Sequence, residues 1–273
     1  MVRALLLAAG LGTRLQPLTD QWPKCLMPIG KRPLLEYWLQ TLHGAGIREV
    51  LVNTHSHAGV VNDFLSQAEF SGWVRSVHEK ELLGTAGTLR FNADFFRGQI
   101  ALVIHADNWC QCDFGDFVSY HLHRRPEHCL VTMMTFDADD PQSCGIVETD
   151  DQGVVTAFYE KIPNPPSKRA NAAVYLLQPE VLEWLEQNSK VTDFSTEVLP
   201  QFIGRIATWH NADIHRDIGT LPLLRAAQQD PTPPHFWPVN DVWQRAFESS
   251  PVFDSLMRNL LTSEEPNERQ IRN

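Results

Sequence analysis

The side chains best suited to chemistry lie at the very start of the chain. Gly10 and Gly12 close an apolar run, Ala4 to Ala9, and are followed by Arg14 and then Lys24. Glycine reaches backbone angles closed to other residues, so these positions let the chain fold back and aim successive N–H groups at an anion. Arg14 brings a planar, permanently charged fork that matches phosphate oxygens, and Lys24 a compact point charge. A glycine loop with two cations is shaped to hold a nucleoside triphosphate. Spacing excludes two familiar phosphate loops. The dinucleotide fingerprint needs a third glycine where Leu15 stands, and the P-loop needs Gly-Lys-Ser/Thr where Leu15, Gln16 and Pro17 stand. For the Gly-x-Gly tripeptide alone, a strand-to-turn connection with a surface arginine is the plain alternative.

Such a loop has to be held by a strand. Ala4 to Ala9 shows no polar alternation, as expected of a central parallel strand covered on both faces. Further apolar runs at Val50 to Val52, Ile100 to Ile104, Leu130 to Phe136 and Ala172 to Leu177 alternate with segments of helical spacing at Pro33 to Ala45, Val60 to Ala68 and Asp113 to His123. This alternation predicts a doubly wound α/β fold with helices flanking the sheet. Asp137 to Ser143 and Ser167 to Ala170 read as loops, and Asp150 to Gly153 as a hairpin turn. Four prolines in Asp230 to Pro238 break regular structure, so the chain divides into a body, 1–229, and a Pro-rich linker with an aromatic helical tail, 230–273. The tail aromatics Phe236, Trp237, Trp243, Phe247 and Phe253 would pack on the body or on a second copy in a homo-oligomer.

Composition narrows the function classes. With 273 residues, 43% of them hydrophobic, the chain can bury one large α/β core. A formal charge of -10 argues against a nucleic-acid partner. No segment approaches the roughly 20 apolar residues of a membrane span. The start, MVRALLLAAG, is read as the first strand rather than a signal peptide, because its apolar run is short and leads into the glycine loop. Five scattered cysteines give no disulfide framework and favour a reducing, cytoplasmic setting. Cys110-x-Cys112 with His121-x-His123 could be drawn as a zinc site, but the spacing is not a standard one and packing explains these residues as well.

The string GLGTRLQPLTDQWPKCLMPIGKRPLLEYWL, residues 10–39, resembles the N-terminal signature of the sugar-phosphate nucleotidyltransferases, the nucleotide-sugar pyrophosphorylases. Blocks in family order continue the resemblance to about residue 228: GTAGTL from Gly84, HADNW from His105, CGIVE from Cys144, YEKIPNP from Tyr159, NAAVYLL from Asn171 and RDIGT from Arg216. It implies a Rossmann-like three-layer sandwich with a mixed, mostly parallel sheet, and an enzyme that joins an NTP to a sugar 1-phosphate with release of pyrophosphate. One position departs from the pattern. Where the family usually reads Pro-Lys-Pro, this chain has Pro23-Lys24-Cys25, which frees the backbone after the lysine but keeps its charge.

By the same resemblance, Asp107 and Asp217 hold Mg2+, an ion that takes one or two carboxylates and completes its shell with water and phosphate oxygens. Asp107 follows an apolar strand and so falls at the carboxyl edge of the sheet, where ligands bind in such folds. Turn capping at Asp107 and helix capping at Asp217 are the alternatives. Ala8, Ala9, Gly10, Gly12 and Thr13 would cradle the nucleotide, with Arg14 and Lys24 on its phosphates. Gly84 and the loop before it would read the base. A carboxylate accepts hydrogen bonds only, so Glu79 or Glu81 suits guanine donors and tilts the reading to GTP. Gly145, Glu160, Lys161 and Asn171 would bind the sugar phosphate, with Lys161 also assisting catalysis. Adjacent Glu160 and Lys161 can line one pocket only if the strand bends there. The blocks look most like guanylyltransferases for mannose or heptose 1-phosphate. Uridylyl or thymidylyl transfer, or a non-catalytic nucleotide-sugar sensor, are the alternatives, and the presence of both cations and both metal carboxylates speaks against the sensor.

Overall fold

The computed structural model describes residues 1–238 and 241–261. Val2–Leu7 forms the centre of a nine-stranded mixed sheet, flanked in parallel by Val50–Thr54 and Ile100–His105. Beyond Val50–Thr54, the edge strand Val74–His78 continues in parallel. On the other side, Arg169–Leu177 runs antiparallel to Ile100–His105 and carries the sheet on to Val131–Asp137 and to the hairpin Gly145–Thr149 and Val155–Glu160. Ile206–His210 closes that end in parallel with Val131–Asp137.

Both faces of the central strands are covered, which is why their sequences lack alternation. Ala4, Leu6, Val50, Val52, Leu102 and Ile104 face one core with the helices Leu34–Gly44, Ala58–Leu65 and Phe114–His123. Leu5, Leu51, Ala101 and Val103 face a second core with Thr85–Phe91 and Pro179–Gln187. The result is the three-layer, Rossmann-like arrangement. The second predicted helix begins and ends earlier than its spacing suggested, and Val74–His78 lacks a sequence signal because its side chains are mostly exposed at the sheet edge. Asp150 makes the expected hairpin turn by accepting from the Gln152 and Val154 N–H groups.

After His105 the chain enters a separate two-stranded ribbon, Asn108–Gln111 against Ile214–Asp217. The proline segment then lies along the body, its carbonyls capped by side chains: Gln40 donates to Pro234 and Arg32 to Trp237 and Pro238. Two helices follow, Asp241–Glu248 and Pro251–Leu261, and Trp243, Phe247, Val252 and Leu256 enter the first core, with the Phe247 ring 5.3 Å from Trp22. The parts of the expected tail at 239–240 and 262–273 lie outside the described residues. Among the described residues no helix is long and apolar enough to cross a membrane.

Candidate active site

The loop after Val2–Leu7 is pinned at its root. Asn53, at the end of the neighbouring strand, accepts the Ala8 N–H at 2.6 Å. From Gly10 to Gly12, no acceptor within the described residues takes a backbone N–H. Gly12 is left-handed, φ 64°, and a Cβ there would meet Thr19 Cγ2 at 2.7 Å, while the Thr19 hydroxyl donates to the Gly12 carbonyl. Gly10 corrects the expectation that both glycines bend the loop. Its φ is not positive and a Cβ would find open space, so its bareness leaves room rather than supplying a turn.

The four predicted phosphate and metal side chains come together. Lys24 donates to Asp107 Oδ2 and Asp217 Oδ1, both at 2.7 Å, and Arg14 donates to Asp217 Oδ2 at 2.6 Å. The lysine side chain is 6% exposed and the aspartates about a third exposed, whereas Arg14 stands out at 63%. Burial pushes the Asp217 carboxyl up, but the charges and hydrogen bonds of Lys24 and Arg14 outweigh it and hold the group below the usual carboxylate range. Asp217 does not cap the helix Leu221–Gln229, which starts from Thr220, and the Asp107 carboxylate accepts from Lys24. Two carboxylate oxygens that converge on one point beside solvent could share a divalent ion. Gly219 leaves room for this arrangement, since a Cβ would lie 2.6 Å from Arg14 Nη2 and 2.9 Å from Asp217 Oδ1.

Beside this cluster a cleft is lined by Leu7 to Gly10, Lys24, Cys25, Asn53, Glu79, Gly84, Thr85, Thr88, His105 and Asp107. Gly84 is left-handed, φ 74°, and so close to the Thr192 carbonyl that a Cβ would sit 2.4 Å from its oxygen. Glu79 is only 3% exposed, and its carboxylate is engaged: Asn53 and Thr88 donate to Oε1 at 2.8 and 2.5 Å, and the Leu83 N–H reaches Oε2 at 3.3 Å. The residue expected to read the base thus also braces the wall. Glu81 is exposed and outside the lining. Cys25, at the departure from the family pattern, is buried, and its thiol is pushed up to about 12 by burial. The turn around this position is closed by two backbone bonds, Leu26 N–H to the Pro23 carbonyl and Met27 N–H to the Lys24 carbonyl.

The predicted sugar residues form a second group. Gly145 pairs with Glu160 across the hairpin, and a Cβ on Gly145 would strike Glu160 Oε2 at 2.7 Å. The strand ends at Glu160, and Lys161 takes φ 49°. That bend carries its ammonium back to 3.2 Å from Glu160 Oε1, so neighbours in sequence share one face. Asn171 donates to the Tyr175 hydroxyl at 2.6 Å and accepts the Ala173 N–H, bracing an irregularity in its strand where Ala173 has φ 54°. Burial raises the thiol of Cys144, the residue before Gly145. Gly145, Glu160, Lys161 and Asn171 lie outside the lining of the first cleft.

Sequence reasoning missed Asn53, Thr88, Gly219 and two histidines. His105 lines the cleft and His215 Nε2 donates to the Ala172 carbonyl, 2.9 Å away. Burial lowers both, His215 to about 4. A polar residue ending an apolar run marks Asn53 and His105, and Gly219 stands inside the quoted RDIGT block. The zinc alternative fails. Both ring nitrogens of His121 are bonded, to Thr132 and Gln178, and among the described residues no group of three His, Cys, Asp or Glu could hold a metal. All five cysteines are free.

The nucleotidyl transferase family model matches residues 3–232. The chain is 30% identical over 224 residues to mannose-1-phosphate guanylyltransferase of Mycobacterium tuberculosis, covering 80% of this chain and 61% of that protein. It is 32% identical over 203 residues to the mannose-1-phosphate guanylyltransferase catalytic subunit beta of Drosophila melanogaster, covering 73% and 54%. The chain therefore spans less than two thirds of the length of these relatives. A Bacillus anthracis protein provisionally named a glucose-1-phosphate thymidylyltransferase, crystallised with sucrose, shares the fold: TM-score 0.75, 22% identity, 86% of this chain and 98% of that one.

Proposed function

Because the chain belongs to the nucleotidyl transferase family, we propose that it joins an NTP to a sugar 1-phosphate and releases pyrophosphate. The observation that carries the reading is the contact of Arg14 and Lys24 with Asp107 and Asp217 at the carboxyl end of the central strands, beside a loop with unengaged N–H groups. An anionic sugar phosphate must approach an anionic triphosphate, so the chemistry is charge neutralisation around the α-phosphorus. The attacking oxygen is already ionised at neutral pH and needs no general base. Asp107 and Asp217 would hold Mg2+, which neutralises phosphate charge when bound. Arg14 and Lys24 steady the leaving pyrophosphate, and removal of one such prepositioned group costs about a hundredfold in rate. Lys161 grips the sugar phosphate, while Gly145, Glu160 and Asn171 orient the sugar. Every residue given a role here lies within 1–229.

GTP and mannose 1-phosphate, or a related hexose or heptose 1-phosphate, are the proposed pair, supported by the relatives' names. The test is pyrophosphate release with Mg2+, four NTPs and a panel of sugar 1-phosphates. The expected result is turnover with GTP, lost in Asp107→Asn while circular dichroism stays native. Silence across the panel sinks the reading in favour of a sensor, and wild-type rates in the variant sink the role of Asp107.

A further inference from the structure

Asp107 Oδ2 and Asp217 Oδ1 each accept from the same nitrogen, Lys24 Nζ, at 2.7 Å. An ion bridging the two oxygens from the side that Lys24 Nζ now occupies would need the place this ammonium holds, because two cations that close repel each other. The lysine side chain is 6% exposed, so a displaced ammonium has little water to turn to and requires another anion. A surface prepared for one is the loop with the unengaged N–H groups of Gly10, Leu11 and Gly12: Gly10 lines the same cleft as Lys24, and a Cβ on Gly12 would lie 3.5 Å from Lys24 Cβ. Arg14, on the other oxygen of Asp217, is well exposed and free to swing.

We propose that Lys24 is a resident counter-ion that closes the Asp107–Asp217 site to divalent metal until a triphosphate draws the ammonium away, so that metal and nucleotide enter as a pair. This rests on the metal-assisted reading above. Linkage makes the effect reciprocal: a nucleotide that releases the carboxylates raises metal affinity, and bound metal raises nucleotide affinity by the same factor. The free protein is thereby kept from binding metal unproductively.

The test measures Mn2+ binding to the nucleotide-free full chain by electron paramagnetic resonance of the unbound ion. Lys24→Met is expected to bind Mn2+ at least tenfold more tightly than wild type, and adding Asp107→Asn to that variant is expected to remove the gain. Equal or weaker affinity in Lys24→Met, or a gain that survives loss of Asp107, overturns the proposal. Since removing the lysine leaves two carboxylates facing each other, thermal unfolding of Lys24→Met and Lys24→Gln with and without Mn2+ provides a second readout. A larger Mn2+-induced rise in Tm than wild type shows, or folding that requires the ion, supports the proposal. Variants that stay unfolded with Mn2+ count against it, because metal then does not replace the ammonium. Wild type that makes no product while these binding results hold would sink only the assigned reaction.

Discussion

Gly219 shows how tightly the ion cluster is fitted. The site has no slack for even one methyl group beside Arg14, and the flexible end of the arginine is what must give. Gly219→Ala should therefore turn Arg14 away from Asp217 and lower kcat/KM about tenfold. Tm should change little, since an exposed pair of this kind contributes at most about 1 kcal/mol. Steady-state kinetics beside thermal unfolding checks this split, and an unchanged kcat/KM would show the pair to be idle. That Arg14, Lys24, Asp107 and Asp217 would converge was expected from the resemblance of their sequence blocks to the family, and the structure does bring the four side chains together. The part played by Gly219 was not legible in the sequence, because its role is to be absent from a space that only the folded chain defines.

At the scale of elements, a chain of hydrogen bonds ties three of them together: the Ala8 N–H to Asn53, Asn53 to Glu79, and Thr88 to Glu79. The loop after Val2–Leu7, the end of a parallel strand and the helix Thr85–Phe91 are thus held in one frame. Asn53→Ala strands the Ala8 N–H and takes a donor from a buried carboxylate, which should cost about 1–3 kcal/mol. Denaturant unfolding is expected to show that loss, and nucleotide KM to rise more than kcat falls. Unchanged stability would mean that water replaces the amide. The strands and flanking helices could be read from apolar runs and helical spacing, since both depend on local pattern. The brace could not, because an Asn at the end of an apolar strand gives no sign of which distant carboxylate it will meet. The bend at Lys161 was posed by the sequence as a condition, and the backbone angle of that residue meets it.

For the molecule as a whole, acid stability reports on histidines the fold keeps neutral. Burial pushes His121 down to about 3 and His215 to about 4, against an ordinary value near 6.5. Between those values the unfolded chain binds protons that the native one refuses, so stability should fall as pH drops from about 6.5 towards 4. His121→Gln should make that decline shallower in Tm measured against pH, and an identical slope would show that its ring is already charged in the native protein. The proline segment was legible as a break in pattern, but not as the strap it becomes.

Asp230, the first residue of that strap, accepts from Trp109 Nε1 at 3.0 Å and from Arg216 Nε and Nη2 at 2.7 and 3.0 Å. Trp109 and Arg216 face each other across the ribbon whose near ends adjoin Asp107 and contain Asp217. A single carboxylate thus acts as a clasp on the ribbon that mounts both proposed metal-holding aspartates. Excision after residue 229 would open that clasp even though every proposed substrate contact remained, and the shortened protein should unfold at lower temperature and turn over more slowly than Asp230-containing chains. A boundary drawn one residue too early would in this way masquerade as a defect in the chemistry.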